Sequence, residues 1–166
     1  MSYPVHFVDE RRILEELTKV IVRVRRLRRG AVLPQYAHGP NEDAGLDLAY
    51  CGDEGLIICP GERKLCSTGI AIQLPPGFEG QIRPRSGLAL ARGLTVLNAP
   101  GTVDPGYRGE INVILINLSS EDQKVEPGAR IAQLVVAPYA EVELEERLSL
   151  GESERDQGGF GSTGTQ

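Results

Sequence analysis

Asp104 is the carboxylate best placed for chemistry. It follows Thr102-Val103 and precedes Pro105-Gly106, so its backbone is held in a turn. A carboxylate so held can orient a water or take its proton. The same position also suits an Asx-turn, in which the side chain bonds its own backbone. Tyr107, three residues on, offers a ring to pack on a sugar or base, or to plug the core.

Other residues suit an anion. Arg83 and Arg85 flank Ser86-Gly87 in PRSGLALARG, where Ser86 is placed to cap a short helix that Gly93 stops. A capped helix start with charge-assisted donors beside it suits phosphate, and equally a plain cap with solvated arginines. Gln133 lies in phase with Ile131 and Val135, so its amide is either structural glue or a ligand contact. Asp47, in AGLDL, points opposite Leu46 and Leu48 between small neighbours, which leaves room for something to approach. In RDQGGFGSTG the glycines before Ser162 can wrap phosphate oxygens, Phe160 can close over a flat base, and Arg155 can meet a phosphate. No Lys precedes Ser162, so this is not a Walker A loop.

The elements that must position these groups are mostly strands. With 20 glycines, 11 prolines and no Trp among 166 residues, the composition favours an all-β domain of short strands and frequent turns. Strands are expected from Val20 to Arg25, through Leu46 to Tyr50, and over 56–59, 69–74, 78–84, 94–98, 111–118 and 130–138. A short amphipathic helix is expected over 9–19, where Ile13, Leu14 and Leu17 share a face. Residues 151–166 read on composition as a flexible tail. The expected organisation is thus an extension over 1–20, a β domain over 21–150 and the tail over 151–166.

Composition also narrows the function. A net charge of −5 argues against a general nucleic-acid binder, and the arginine-rich VRVRRLRRG reads as a charged strand edge. No apolar run spans a bilayer and no signal-peptide layout opens the chain, so a cytoplasmic protein is expected. The 3 cysteines, Cys51, Cys59 and Cys66, lack zinc spacing and read as buried free thiols. With 2 histidines, neither near the glycine-rich segments, a His-based triad or metal site is disfavoured.

Taken in order, AGLDL (44–48), RPRSGLA (83–89), NAPGTVDPGYRGE (98–110), RIAQLVV (130–136) and RDQGGFGSTG (155–164) resemble the five motifs of the trimeric dUTP diphosphatases, over about residues 32–166. The resemblance implies a β-clip or distorted jelly roll and a homotrimer with sites shared between chains. The implied reaction turns dUTP and water into dUMP and pyrophosphate, with Mg²⁺ held mainly by the triphosphate. That would limit uracil in DNA and supply dUMP for dTMP synthesis. By the resemblance, Asp104 orients water toward the α-phosphorus and Tyr107 packs under the deoxyribose, leaving no space for a 2′-hydroxyl. Asn98, with the backbone of Gly101, Thr102 and Val103, reads uracil. Arg85, Ser86 and Gly87 cradle phosphate beside Gln133, and Asp47 meets Mg²⁺ through water only. Arg155, Phe160, Gly161 and Ser162 belong to the closing tail. Asn112 stands where some bacterial relatives place a lysine that approaches the substrate.

Two rival readings differ in class. The related dCTP deaminases, including bifunctional members, need a glutamate seven residues after the aromatic; here that position is Ile114. A non-enzymatic regulator on the same fold would be expected to have lost Asp104, Arg155 or the tail, and all are present.

Overall fold

The computed structural model of the protein describes residues 19–151 and 153. The helix expected from residue 9 and the tail with Arg155, Phe160, Gly161 and Ser162 lie outside the described residues.

Among the described residues, eleven strands and one helix follow in chain order. They are β1 (Arg23–Arg26), β2 (Leu46–Ala49), β3 (Leu56–Ile58), β4 (Arg63–Ser67), β5 (Ile70–Gln73), β6 (Phe78–Arg83), α1 (Ser86–Arg92), β7 (Leu94–Val96), β8 (Gly101–Val103), β9 (Asn112–Asn117), β10 (Gln123–Val125) and β11 (Arg130–Pro138). The central sheet runs β2-β11-β6-β8, the second β4-β9-β7, and two ribbons pair β1 with β5 and β3 with β10. Neighbours such as β11 and β6, or β4 and β9, are antiparallel and distant in sequence. This is the all-β, distorted jelly-roll arrangement expected, with its one short internal helix.

Strand alternation builds the core. In β9 the pattern buries Val113, Leu115 and Asn117 and leaves Asn112, Ile114 and Ile116 half-buried. Leu48 of β2 is buried, with Leu46 and Tyr50 packed on the same cluster, as their spacing predicts. Ile58, Ile70, Leu94, Ile111 and Ile131 complete the densest part. Each such side chain contributes about 1.5–3 kcal/mol relative to exposure. Asn117 is the polar exception: its Nδ2 donates to the carbonyls of Ile58 and Glu121 (both 2.8 Å), and its Oδ1 accepts from Ser119 N (2.9 Å) and Oγ (2.7 Å).

Four expectations need correction. β1 begins at Arg23 rather than Val20, although Val20, Val22 and Val24 do line a common cleft. Strands β4, β8 and β10 were not expected, because each is short and shows one or two buried residues. The residue capping α1 is Arg85, in extended conformation and without a side-chain cap bond; Ser86 is already helical. Gly93 ends the helix as expected, with φ 62°. Cys51 and Cys66 are buried, and burial pushes the Cys66 thiol up to about 11, but Cys59 is exposed. No helix among the described residues is long and apolar enough to cross a membrane.

Candidate active site

The carboxylate of Asp104 stands exposed at the end of β8. The turn that follows is closed by the backbone, Tyr107 N donating to Asp104 O at 3.0 Å. Among the described residues nothing hydrogen-bonds the carboxylate itself. The side chain is therefore not occupied by an Asx-turn and is open to a ligand or water.

Asp104 edges a cleft of about 310 Å³ shared by Asn98, Gly101, Thr102, Val103, Tyr107 and Asn112. Each wall has a local cause. β8 pairs with β6, Ile82 opposite Gly101, and a Cβ on Gly101 would lie 3.0 Å from Asn98 Nδ2 and 3.4 Å from Ile82 Cβ. A side chain there would press on the Asn98 amide, so the glycine keeps Asn98 close to that wall. Tyr107 is 45% exposed, and its hydroxyl donates to Glu110 O at 3.0 Å, which leaves the ring facing outward. Asn112 Nδ2 donates to the same carbonyl at 3.1 Å. Ile114 follows Asn112 on the open side of β9, so an alkyl group lines the cleft where a deaminase would need an acid.

A second cleft, of about 340 Å³, gathers Asp47, Arg83, Arg85, Ser86, Gly87 and Gln133. Asp47 Oδ1 meets Arg85 Nε at 2.9 Å and Oδ2 meets Arg130 Nη1 at 3.0 Å. Arg85 Nη1 also donates to Arg130 O at 3.1 Å. Gln133 Nε2 donates to Pro84 O at 2.9 Å, which fixes the amide beside the start of α1. Its oxygen packs where a side chain on Gly45 would sit, so that glycine is needed. A Cβ on Gly87, by contrast, would meet nothing within 4 Å. Among the described residues no contact calls for glycine there, which leaves space beside it for a ligand.

The rim of this cleft is a loop clamped by Asp43. Its carboxylate accepts from His38 N (2.6 Å) and Gly39 N (3.3 Å) and lies 3.1 Å from His38 Nδ1. The His38 backbone bond, then the His38 ring, hold the Asp43 carboxyl down at about 2.

The chain thus divides its predicted residues between two clefts. Ile82 and Arg83 are consecutive in β6, one buried and one exposed, and each lines a different cleft. Because successive strand residues point to opposite faces, the two clefts open on opposite sides of the central sheet.

Sequence reading passed over Arg130 and Glu110. The signal for each was a charge at the end of a motif, and their partners are distant in sequence.

The family model dUTPase matches residues 33–164. The chain belongs to the dUTPase family. It is 56% identical over 142 residues to the deoxyuridine 5'-triphosphate nucleotidohydrolase of Clostridium kluyveri, covering 86% of this chain and 96% of that protein. To the enzyme of the same name from Hydrogenobaculum sp. it is 57% identical over 141 residues, covering 85% and 96%. Among solved structures, a mutant of the Staphylococcus bacteriophage 80alpha dUTPase with dUpNHpp superposes with a TM-score of 0.74 at 26% identity, covering 87% of this chain and 99% of that one. All of the motif segments from Asp47 to Ser162 fall inside the matched span of this dUTPase-family chain.

Proposed function

We propose that the protein hydrolyses dUTP to dUMP and pyrophosphate, with Asp104 orienting the attacking water. The observation that carries the proposal is the Asp104 carboxylate, unengaged by its own turn and facing the cleft of Asn98 and Tyr107. Family membership supplies the substrate class, since the bacterial relatives are named for dUTP hydrolysis.

In this reading Tyr107 packs its ring under the deoxyribose, and its hydroxyl is held away by Glu110 O. Asn98 and the backbone of Gly101, Thr102 and Val103 meet the uracil edge, with Asn112 at the inner wall. Arg85, Ser86, Gly87 and Gln133 take the phosphates, and Arg155, Phe160, Gly161 and Ser162 close over the bound nucleotide. Transfer at phosphorus needs charge neutralisation and in-line positioning more than a strong base, and this set of groups supplies those.

Among the described residues no three His, Cys, Asp or Glu cluster as a metal cage. Asp47 is the one carboxylate in the phosphate cleft that also pairs with its arginines, and each of its oxygens is already engaged. That fits an outer-sphere contact, through water, to Mg²⁺ brought by the triphosphate. The ion would supply further charge neutralisation at the phosphates.

Since the two clefts face opposite ways, we place each complete site between chains of a homotrimer. The division into extension, β domain and closing tail belongs to the same proposal, as do the cytoplasmic setting and the absence of nucleic-acid or membrane partners.

A panel of dUTP, dCTP, dTTP and UTP with Mg²⁺, scored for pyrophosphate and ammonia, tests the reading. Pyrophosphate from dUTP alone is expected. Ammonia from dCTP would move the chain to the deaminase branch, against which Ile114 stands in the cleft.

A further inference from the structure

Glu110 is part of the wall of the Asp104 cleft and is held through both its backbone and its side chain. Its carbonyl accepts Tyr107 Oη at 3.0 Å and Asn112 Nδ2 at 3.1 Å, so one oxygen fixes two groups that face the cleft. Its carboxylate reaches the other way. Oε1 accepts Gly69 N at 2.8 Å, and Oε2 lies 3.5 Å from Arg28 Nη2. Gly69 is closely packed: it has φ 71°, and a Cβ there would meet Cys51 Sγ at 2.7 Å and the Ala31 Cβ at 2.8 Å. Around that anchor, Leu27 N donates to Gly69 O (2.7 Å) and Ile111 N to Ile70 O (2.8 Å). Thr68 Oγ1 donates to Ile111 O at 2.5 Å.

On these contacts, and resting on the reading of Tyr107 as the surface under the deoxyribose, we infer that Glu110, steadied by Arg28, is a positioning residue that sets the sugar specificity of the site. The carboxylate ties Glu110 to the closely packed Gly69, and the Glu110 carbonyl so held fixes the height of the Tyr107 ring. A 2′-hydroxyl is excluded only if the ring cannot retreat. A gap of a fraction of an ångström would admit it, which is the scale of displacement that costs enzymes discrimination. The arginine-rich stretch after β1 thereby gains one specific task. Arg28 neutralises Glu110, whose side chain is 20% exposed while that of Arg28 is 45% exposed.

The test measures kcat and KM for dUTP and UTP in Glu110→Ala, Glu110→Gln, Arg28→Ala and Tyr107→Ala. Glu110→Ala should raise KM for dUTP about tenfold and shrink the dUTP-over-UTP preference about tenfold, with kcat for dUTP within about threefold of the parent. Glu110→Gln, whose amide oxygen still reaches Gly69 N, should recover most of the preference. Arg28→Ala, a surface change that leaves the fold intact, should cost about two- to threefold in preference, in line with a partly exposed ion pair. A merely structural role would lower the active fraction and leave the ratio between the two nucleotides alone. An unchanged preference in Glu110→Ala beside a reduced one in Tyr107→Ala overturns the inference. If Glu110→Ala does not fold, an unchanged preference in Arg28→Ala overturns it instead. Should Tyr107→Ala itself keep the full preference, the sugar-surface reading falls and this inference falls with it.

Discussion

Asp47 Oδ1 lies 2.9 Å from Arg85 Nε, and the other oxygen of the same carboxylate lies 3.0 Å from Arg130 Nη1. The Asp47 side chain is only 13% exposed, so water screens the contact poorly and both guanidinium groups are held in place. Two cations kept side by side by one half-buried acid make a prepared seat for an oligophosphate.

That geometry predicts how the cleft responds to truncation. Asp47→Ala and Arg130→Ala should each weaken dUTP binding about tenfold, since the first removes the acid that holds Arg85 and the second removes one of the two cations it gathers. The double variant should be little worse than either single one, because the members act as a unit. Titrating Mg²⁺ in the same assay separates the two roles of the acid. A shifted half-saturation in Asp47→Ala but not in Arg130→Ala marks an outer-sphere metal contact; equal curves leave only the clamp.

Asp104→Asn should keep dUTP affinity within about threefold and lower kcat by roughly 10²–10⁴, the range for losing a positioned proton acceptor. Calorimetry with unreacted dUTP gives the affinity, and pyrophosphate release gives the rate. Near-parental turnover would remove Asp104 from the chemistry.

Asn117 tests the fold apart from the site. Asn117 is fully buried and its amide joins Ile58, Ser119 and Glu121; Asn117→Ala removes its bonds to the Ile58 and Glu121 carbonyls and to Ser119 N. A loss of about 3 kcal/mol is expected, seen as a melting temperature lower by about 10 °C. A shift of a degree or two would mean that water replaces the network.

The Asp43 clamp carries a signature in acid. Its carboxyl is depressed from an ordinary 3.8 to about 2, so the loop gains from the charged form. That contribution is complete above the ordinary value and disappears as pH falls through about 2. Carbon-detected NMR of the Asp43 carboxyl should titrate near the lower value in the folded protein. A midpoint at the ordinary value would show the loop unclamped.

How much of this was readable beforehand depends on the length of chain involved. β2, β5, β9 and β11 were legible, because an apolar run or alternation over four or more residues is a local signal. β4 and β10 were not: RKLCS and QKV bury one residue each and owe their pairing to β9 and β3. The same contrast runs through the site. Asp104, Tyr107 and Asn98 sit within one short segment, and the structure gathers them into one cleft. The partnership of Arg130 with Asp47 spans 83 residues and that of Glu110 with Gly69 spans 41, so neither appears until the sheets are formed. What remained open in the sequence, whether Asp104 serves its own turn, is answered by the carboxylate, which takes no hydrogen bond among the described residues while the backbone closes the turn.

Ile82 and Arg83, back to back in β6, have a genetic consequence. If a working site takes Asp104 from one chain and Arg85 from a neighbour, two inactive proteins are not equally inactive together. Asp104→Asn and Arg85→Ala, each dead alone, should recover activity when unfolded jointly and reassembled. Random mixing in rings of three makes about a quarter of the sites whole. The two lesions would then complement each other as alleles of one gene, although no chain in the mixture carries an intact set of residues.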